Sequence, residues 1–310
     1  FLIPVIQRIK KESNQGKVFA IFVYPTKALA RDQFPKIKKF ADKIKSDVKV
    51  FDGDTKIEER RQIIEAPPEI LITNFDVLHY HLWHQTKFSS ILNSTEVLVI
   101  DEAHVYSGIF GSNVHYIIKR LKRICNNKLQ FVAASATLDD AKTFCEQLFG
   151  EKMQLIKGSG KKGETDFVML FPSLRTQRKL MVELTKKLTD KNHKTMVFSN
   201  SHLNAELLAM QAKKQKINIK VHRAGLMANY RMSVEKQFKE DKLQAISCTP
   251  TLELGIDVGN VDCVISSTIP VNRLTQRIGR AARKGQRGYA FLALGNDPIS
   301  QYYKNHPDDY

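Results

Sequence analysis

Asp101 and Glu102 stand side by side at the end of an apolar, β-branched run in EVLVIDEAH, residues 96–104. A buried parallel strand that ends in carboxylates delivers them to a functional edge. In open α/β sheets ligands bind in the crevice beyond the strand ends, so this pair is placed to hold a nucleotide. A second group carries the opposite charge. In QRIGRAARKGQRG, residues 276–288, Gln276, Arg280 and Arg283 recur at offsets of four and seven, which would put all three on one helical face. Guanidinium groups gathered there with little acidic charge bind an anion. A basic solvated helix accounts for the charge but not for the glycine and arginine spacing.

Short polar side chains mark the other strand exits: Thr73-Asn74, Ser135-Ala136-Thr137, Ser199-Asn200-Ser201, His222-Arg223 and Thr249. Hydroxyls and amides at such ends can bind backbone phosphates. Pro25-Thr26-Lys27 turns a strand into the helix ALARDQ, with Thr26 as N-cap. Its free N–H groups and positive dipole end suit a phosphate, although an ordinary capped surface helix has the same sequence. The Ser135–Thr137 stretch likewise suits an N-cap before LDDAKTFCEQLF.

These residues need a scaffold that brings strand ends together. In the first half KVFAIFVY (17–24), EILIT (69–73), the 96–100 run and LQFVAA (129–134) read as buried strands, separated by helical patterns. Gly53-Asp54 makes a turn, and Gly108 and Gly111 break the chain before an amphipathic helix rich in Lys and Arg, whose basic face is expected to be solvated. His79, His81 and His84 lie at offsets of two and five and do not share a helical face, which argues against a metal site, and Trp83 reads as core or interface filler. KGSGKKGE (157–164) lacks hydrophobic periodicity and marks a boundary. The expected division is a domain over 1–157, a linker over 158–165 and a domain over 166–310. In the last of these DFVMLF, KTMVFSNS, INIKVHR, QAISCTP, VDCVISS and GYAFLAL alternate with helices. The fold class is α/β, two domains each with a mostly parallel sheet flanked by helices.

The 310 residues are 42% apolar, enough for two cores, and 49 Lys and Arg against 32 acidic residues give a net charge of +17. A polyanion is the natural partner. No apolar run approaches the roughly 20 residues of a spanning helix, so nucleic acid is favoured over a membrane. Cys125, Cys145, Cys248 and Cys263 form no CxxC pair, which speaks against a zinc knuckle or a secreted disulfide framework and for a reducing cytoplasm. The opening FLIPVIQRI is too short, and lacks the charged leader, for a signal peptide.

Taken in order and spacing, PTKALARDQ, TNFDVL, DEAH, SAT, VFSNS, HRAGLMANYR, TPTLELGIDVG and QRIGRAAR resemble the helicase motifs of superfamily 2 over nearly the whole chain. DEAH, TLELGIDVG and the segment after DEAH look most like the YprA and large-helicase-related branch of DNA helicases. The resemblance implies two tandem RecA-like domains with ATP between them and a single strand across the top. It implies that Asp101 holds Mg²⁺, that Glu102 positions the attacking water, and that Arg280 and Arg283 act as arginine fingers. His104 and Gln276 would link the nucleotide to Ser135 and Thr137, while Gly255 and Asp257 would approach its sugar and phosphates. Thr26, Lys27, Thr73, Ser199, Asn200, Arg223 and Thr249 would grip the strand through phosphates, independently of sequence. The partner implied is single-stranded or partly duplex nucleic acid, DNA favoured, read 3′ to 5′ by a monomer; an RNA helicase is the alternative.

One departure stands out. The superfamily carries a phosphate-binding loop, GxxxxGK followed by Ser or Thr, and this sequence has none. FLIPVIQRI is similar to the helix that follows that loop, and DPISQYYKNHPDDY ends soon after the last motif, so the chain reads as an excised motor core. Weak ATP binding and negligible turnover are expected of it as it stands. A loopless nucleic-acid-binding module is the other reading.

Overall fold

The computed structural model describes residues 1–12, 16–126, 129–135, 138, 140–158, 164–172, 174–281 and 287–310. Two compact units divide the chain, Phe1–Lys157 and Gly158–Tyr310.

In the first unit β1 (Ala20–Val23), β2 (Val48–Val50), β3 (Ile70–Thr73), β4 (Val97–Ile100) and β5 (Gln130–Ala133) form one parallel sheet in the order β2-β3-β1-β4-β5. The strands are apolar throughout because both faces are covered. Ile21, Val23, Leu71, Leu98 and Ile100 pack into one core layer, while Ala20, Phe22, Ile70, Ile72, Val97 and Val99 pack into the other. Helices α1 (Leu2–Glu12) and α2 (Lys27–Ala41) cover the second layer; α4 (Phe75–Trp83), α6 (Gly108–Ile124) and α7 (Ala141–Phe149) cover the first. The chain also forms α3 (Ile57–Glu65) and α5 (Lys87–Ile91). Strand β2 has no counterpart in the sequence reading. It is three residues long with an exposed Lys49, too brief for a period to register.

Register matters more than strand count. Val23 pairs with Thr73 and Ile100, and Ile100 with Ala133, so the carboxyl ends of four strands align in one row. The chain leaves β3 and crosses β1 to reach β4, which makes the β1/β4 exits the place where strand order reverses.

Two expectations are corrected here. Gly111 does not break the chain: α6 starts at Gly108 and runs through it. A Cβ at Gly111 would lie 2.3 Å from the Tyr106 carbonyl oxygen, so the glycine serves close packing rather than a turn. Gly111→Ala is expected to lower the melting temperature, because that clash, at about 1–3 kcal/mol, outweighs the roughly 1 kcal/mol that alanine gains over glycine in a helix. A thermal melt unchanged or raised would show that the Tyr106 backbone yields. Trp83 is not core, being 62% exposed on α4.

The second unit holds β6 (Thr165–Leu170), β7 (Thr195–Phe198), β8 (Ile219–His222), β9 (Ala245–Cys248), β10 (Cys263–Ser267) and β11 (Gly288–Ala293), all parallel in the order β6-β11-β10-β7-β9-β8. Its helices are α8 (Gln177–Asp190), α9 (His202–Lys214), α10 (Ala228–Lys239), α11 (Val271–Ile278) and α12 (Pro298–Asn305). Phe198 pairs with Cys248 and Cys248 with His222, so the next residues, Ser199, Thr249 and Arg223, leave the sheet in one row. Among the described residues no helix is long and apolar enough to cross a membrane.

Candidate functional site

Strand β4 hands Asp101 to the centre of the first sheet's carboxyl edge, where its amide donates to the Val23 carbonyl at 3.1 Å. The Glu102 N–H donates to Asp101 Oδ1 at 2.9 Å. Glu102 adopts a left-handed backbone, φ 50° and ψ 47°, a conformation that costs a residue with a Cβ on the order of 1 kcal/mol or more. The next residue fixes it: buried Ala103 donates its N–H to Ala134 at 2.9 Å, tying the exit of β4 to that of β5. The kink brings the Glu102 carboxylate to 3.5 Å from His104 Nδ1, and the same nitrogen lies 3.0 Å from Ser135 Oγ. Four of the expected residues, Asp101, Glu102, His104 and Ser135, thus converge across two strand exits. Thr137 lies outside the described residues.

Burial pushes the Asp101 carboxyl up to about 6; the Glu102 N–H bond pulls it down, and the adjoining Glu102 carboxylate pushes it up again. Tyr24 and Tyr106 border it, and burial raises both phenols, with Asp101 adding to each. A desolvated carboxylate at an open strand end fits a hard divalent cation, whose charge replaces the water it has lost. The folded value of about 6 lies above the ordinary 3.8, so the native state holds the extra proton between those limits. Stability from the protonated form is complete below the lower value and is lost as pH rises through the upper one. At neutral pH the ionised group then costs on the order of 3 kcal/mol. Asp101→Asn is accordingly expected to raise the melting temperature at pH 7 and to flatten its fall between pH 4 and 6. Equal pH profiles for the two proteins would refute this.

Beside this edge Thr26 caps α2, accepting the Leu29 N–H at 3.2 Å. Lys27 Nζ reaches Asp54 Oδ1 at 2.6 Å and Arg31 reaches the other oxygen at 2.6 Å. The Lys27 hydrogen bond holds the Asp54 carboxyl below its usual range. Thr73 is corrected: it is 2% exposed and its hydroxyl donates to the Phe51 carbonyl at 2.7 Å, so it braces β2 against β3 instead of facing a phosphate.

In the second unit Ser199 and Thr249, at the exits of β7 and β9, are largely buried as residues, 3% exposed each. Asn200 donates to the Thr268 carbonyl at 2.7 Å, and Arg223 pairs with Glu206 at 2.8 Å. Gly255 and Asp257 lie in the loop before β10, where Asp257 meets Lys239 at 2.7 Å. The helical face expected to join Gln276 and Arg280 is not formed. Helix α11 ends at Ile278 with Gly279 as C-cap, so half-buried Gln276 is helical and Arg280 is not. Arg280 is buried and donates to the carbonyls of Glu253, at 2.5 Å, and Ile256, at 3.3 Å. Arg283 lies outside the described residues.

Sequence reasoning missed the centre of this unit. Arg277, fully buried, donates to Glu253 at 2.7 Å, Ser266 at 2.7 Å and Asn200 at 3.2 Å. Arg273 meets the same Glu253 carboxylate at 2.9 Å. The signal was available: an acidic residue inside the apolar TLELGI, and arginines four apart on one helix.

The DEAD/DEAH box helicase family model matches residues 1–144, and the helicase conserved C-terminal domain matches 176–285. An ATP-dependent helicase of Methanocaldococcus jannaschii is 33% identical over 303 residues, covering 92% of this chain and 44% of the relative. The ATP-dependent helicase YprA of Bacillus subtilis is 32% identical over 329 residues, covering 99% of this chain and 43% of its own. The crystal structure of the DUF1998 helicase MrfA bound to DNA and AMPPNP superposes with a TM-score of 0.87 at 32% identity, over 100% of this chain and 46% of that one. The chain therefore spans under half the length of these relatives. With both of its units matched and the carboxylate edge in place, this chain belongs to the superfamily 2 DEAD/DEAH box helicases.

Proposed function

We propose that the chain is the motor core of an ATP-dependent helicase that moves along nucleic acid, DNA favoured, in the 3′ to 5′ direction. The observation that carries this is the convergence of Asp101, Glu102, His104 and Ser135 at the exits of β4 and β5. The Mg²⁺-bound triphosphate supplies a phosphoanhydride bond whose hydrolysis drives movement. Asp101 presents the hard oxygen that holds the cation. Glu102 orients the attacking water and takes its proton. His104 carries the state of that edge to Ser135 at the end of β5. Arg280, and Arg283 beside it in sequence, supply positive charge from the second unit; the glutamate and isoleucine carbonyls that hold Arg280 set where that charge can reach. Lys27, Asn200 and Arg223 contact strand phosphates, which requires exchanging their present partners for the polyanion.

The net charge of +17 supports a salt-sensitive grip on phosphates. DNA is favoured because the MrfA structure holds DNA and a Mycobacterium smegmatis Lhr structure, 25% identical, holds single-stranded DNA. The test is nucleic-acid-stimulated ATP hydrolysis by the full product of the gene, together with unwinding of a partly duplex DNA bearing a 3′ overhang. Hydrolysis that neither DNA nor RNA stimulates rejects the proposal, and competition between matched DNA and RNA strands decides the sugar.

The missing GxxxxGK loop favours a second reading for the 310 residues alone: a nucleic-acid-binding module with weak ATP affinity and negligible turnover. Brisk DNA-stimulated hydrolysis by these residues alone would overturn it.

A further inference from the structure

The chain has a single tryptophan, and the fold leaves it in solvent. Trp83 is 62% exposed near the end of α4, and the Arg120 guanidinium of α6 lies over its indole ring, 5.0 Å from the centroid. His79 Nδ1, one turn back on α4, stands 3.3 Å from Arg120 Nη1 and fixes that guanidinium in place. Exposed Tyr80 and His84 pair their rings at 4.4 Å on the adjoining row. On α6 the outward residues continue with Tyr116, 59% exposed, Lys119 at 5.7 Å from the Tyr116 ring, and Arg123. Helix α6 contains no acidic residue, and among the described residues no carboxylate lies within 4 Å of the Lys119, Arg120 or Arg123 charges. A basic last turn complements the helix dipole whatever else it does. That need explains neither an exposed indole nor a guanidinium pinned on it.

Aromatic faces with arginine and lysine beside them bind single-stranded nucleic acid, the bases stacking on the rings and the phosphates meeting the cations. The surface is continuous with the strand path of the proposed function. Asn74 caps the start of α4, and Asn74, Lys27, Tyr80 and His81 line one cavity of about 370 Å³. From there the nine residues of α4 rise about 14 Å to Trp83. We infer that the α4/α6 face is a second contact for single-stranded nucleic acid, with a base stacked at Trp83 and phosphates held by Lys119, Arg120 and Arg123. This rests on the nucleic-acid reading above. It places part of the grip outside the helicase motifs.

Because Trp83 is the sole tryptophan, its emission reports the site directly. Titrating the whole chain with unlabelled oligo-dT is expected to quench that emission. With fluorescein-labelled oligo-dT, Trp83→Ala should weaken binding about tenfold, the scale of one lost stacked base, and Trp83→Phe should restore most of it. Arg120→Ala should also lower the slope of log affinity against log salt by about one. Both positions are on exposed helix faces, and a thermal melt of each variant checks that the fold is kept. Binding by the unsubstituted chain with tryptophan emission unmoved, or equal affinity in Trp83→Ala, overturns the inference and leaves this face to another protein. No binding at all by the unsubstituted chain would instead strike the nucleic-acid reading beneath it.

Discussion

Glu253→Ala removes about 3–5 kcal/mol of stability from the second unit. The magnitude follows from what is left behind. Arg277 is fully buried, and burial lowers its affinity for a proton, an effect that Glu253 opposes without cancelling. Without that carboxylate its charge keeps the Ser266 hydroxyl, the Asn200 side-chain oxygen and the face of the Phe198 ring, 5.0 Å away, all of them neutral. A buried charge stripped of its counter-ion is among the few single changes that cost this much, whereas breaking an exposed pair costs under about 1 kcal/mol. Glu253→Gln keeps an acceptor and should lose less. Replacing the pair together, Glu253→Leu with Arg277→Met, should recover much of the deficit because no charge is then buried. Urea titrations of the whole chain, following the transition of the second unit, measure each variant. A loss under about 1 kcal/mol for Glu253→Ala would mean that water reaches Arg277. The Glu253 backbone carbonyl that accepts from Arg280 survives every one of these substitutions, so the anchor on the proposed finger is tested separately from the ion pair.

The second large effect concerns chemistry. Glu102→Gln is expected to cut the rate of nucleic-acid-stimulated ATP hydrolysis in the full gene product by about 10²–10⁴, with nucleic-acid affinity unchanged. Glutamine has nearly the size of glutamate and tolerates the same left-handed backbone, and the Ala103 bond to Ala134 that fixes the kink is untouched. The substitution removes the proton acceptor and the negative charge 3.5 Å from His104 Nδ1. A rate within tenfold of the unsubstituted protein would remove Glu102 from the role of base. Loss of nucleic-acid binding in the same variant would show that it shapes the fold instead.

What could be read from the residues was whatever depends on local order. Apolar runs of four to six residues between helical patterns announced two parallel α/β sheets, because strands covered on both faces cannot alternate. The carboxylates after Ile100 and the threonine before α2 were legible because strand exits and N-caps are set by neighbours in sequence. Thr73 was placed at the right end but given the wrong exposure. Whether a hydroxyl faces solvent or a neighbouring carbonyl depends on the strand alongside, and β2, which takes the Thr73 contact through Phe51, left too short a trace to see.

Tertiary structure alone decided the rest. The sequence spaces Gln276, Arg280 and Arg283 as a helical row, yet the helix stops at Ile278 and Arg280 turns inward to two carbonyls of the preceding loop. It also carries Glu253 and Arg277 as ordinary charges, and only packing makes them a buried pair. The same holds for Trp83, whose apolar ring suggested the interior but whose position on α4 faces water beneath Arg120. Periodicity determines which face of an element a residue occupies. Which face is buried, and against what charge, depends on elements far away in the chain.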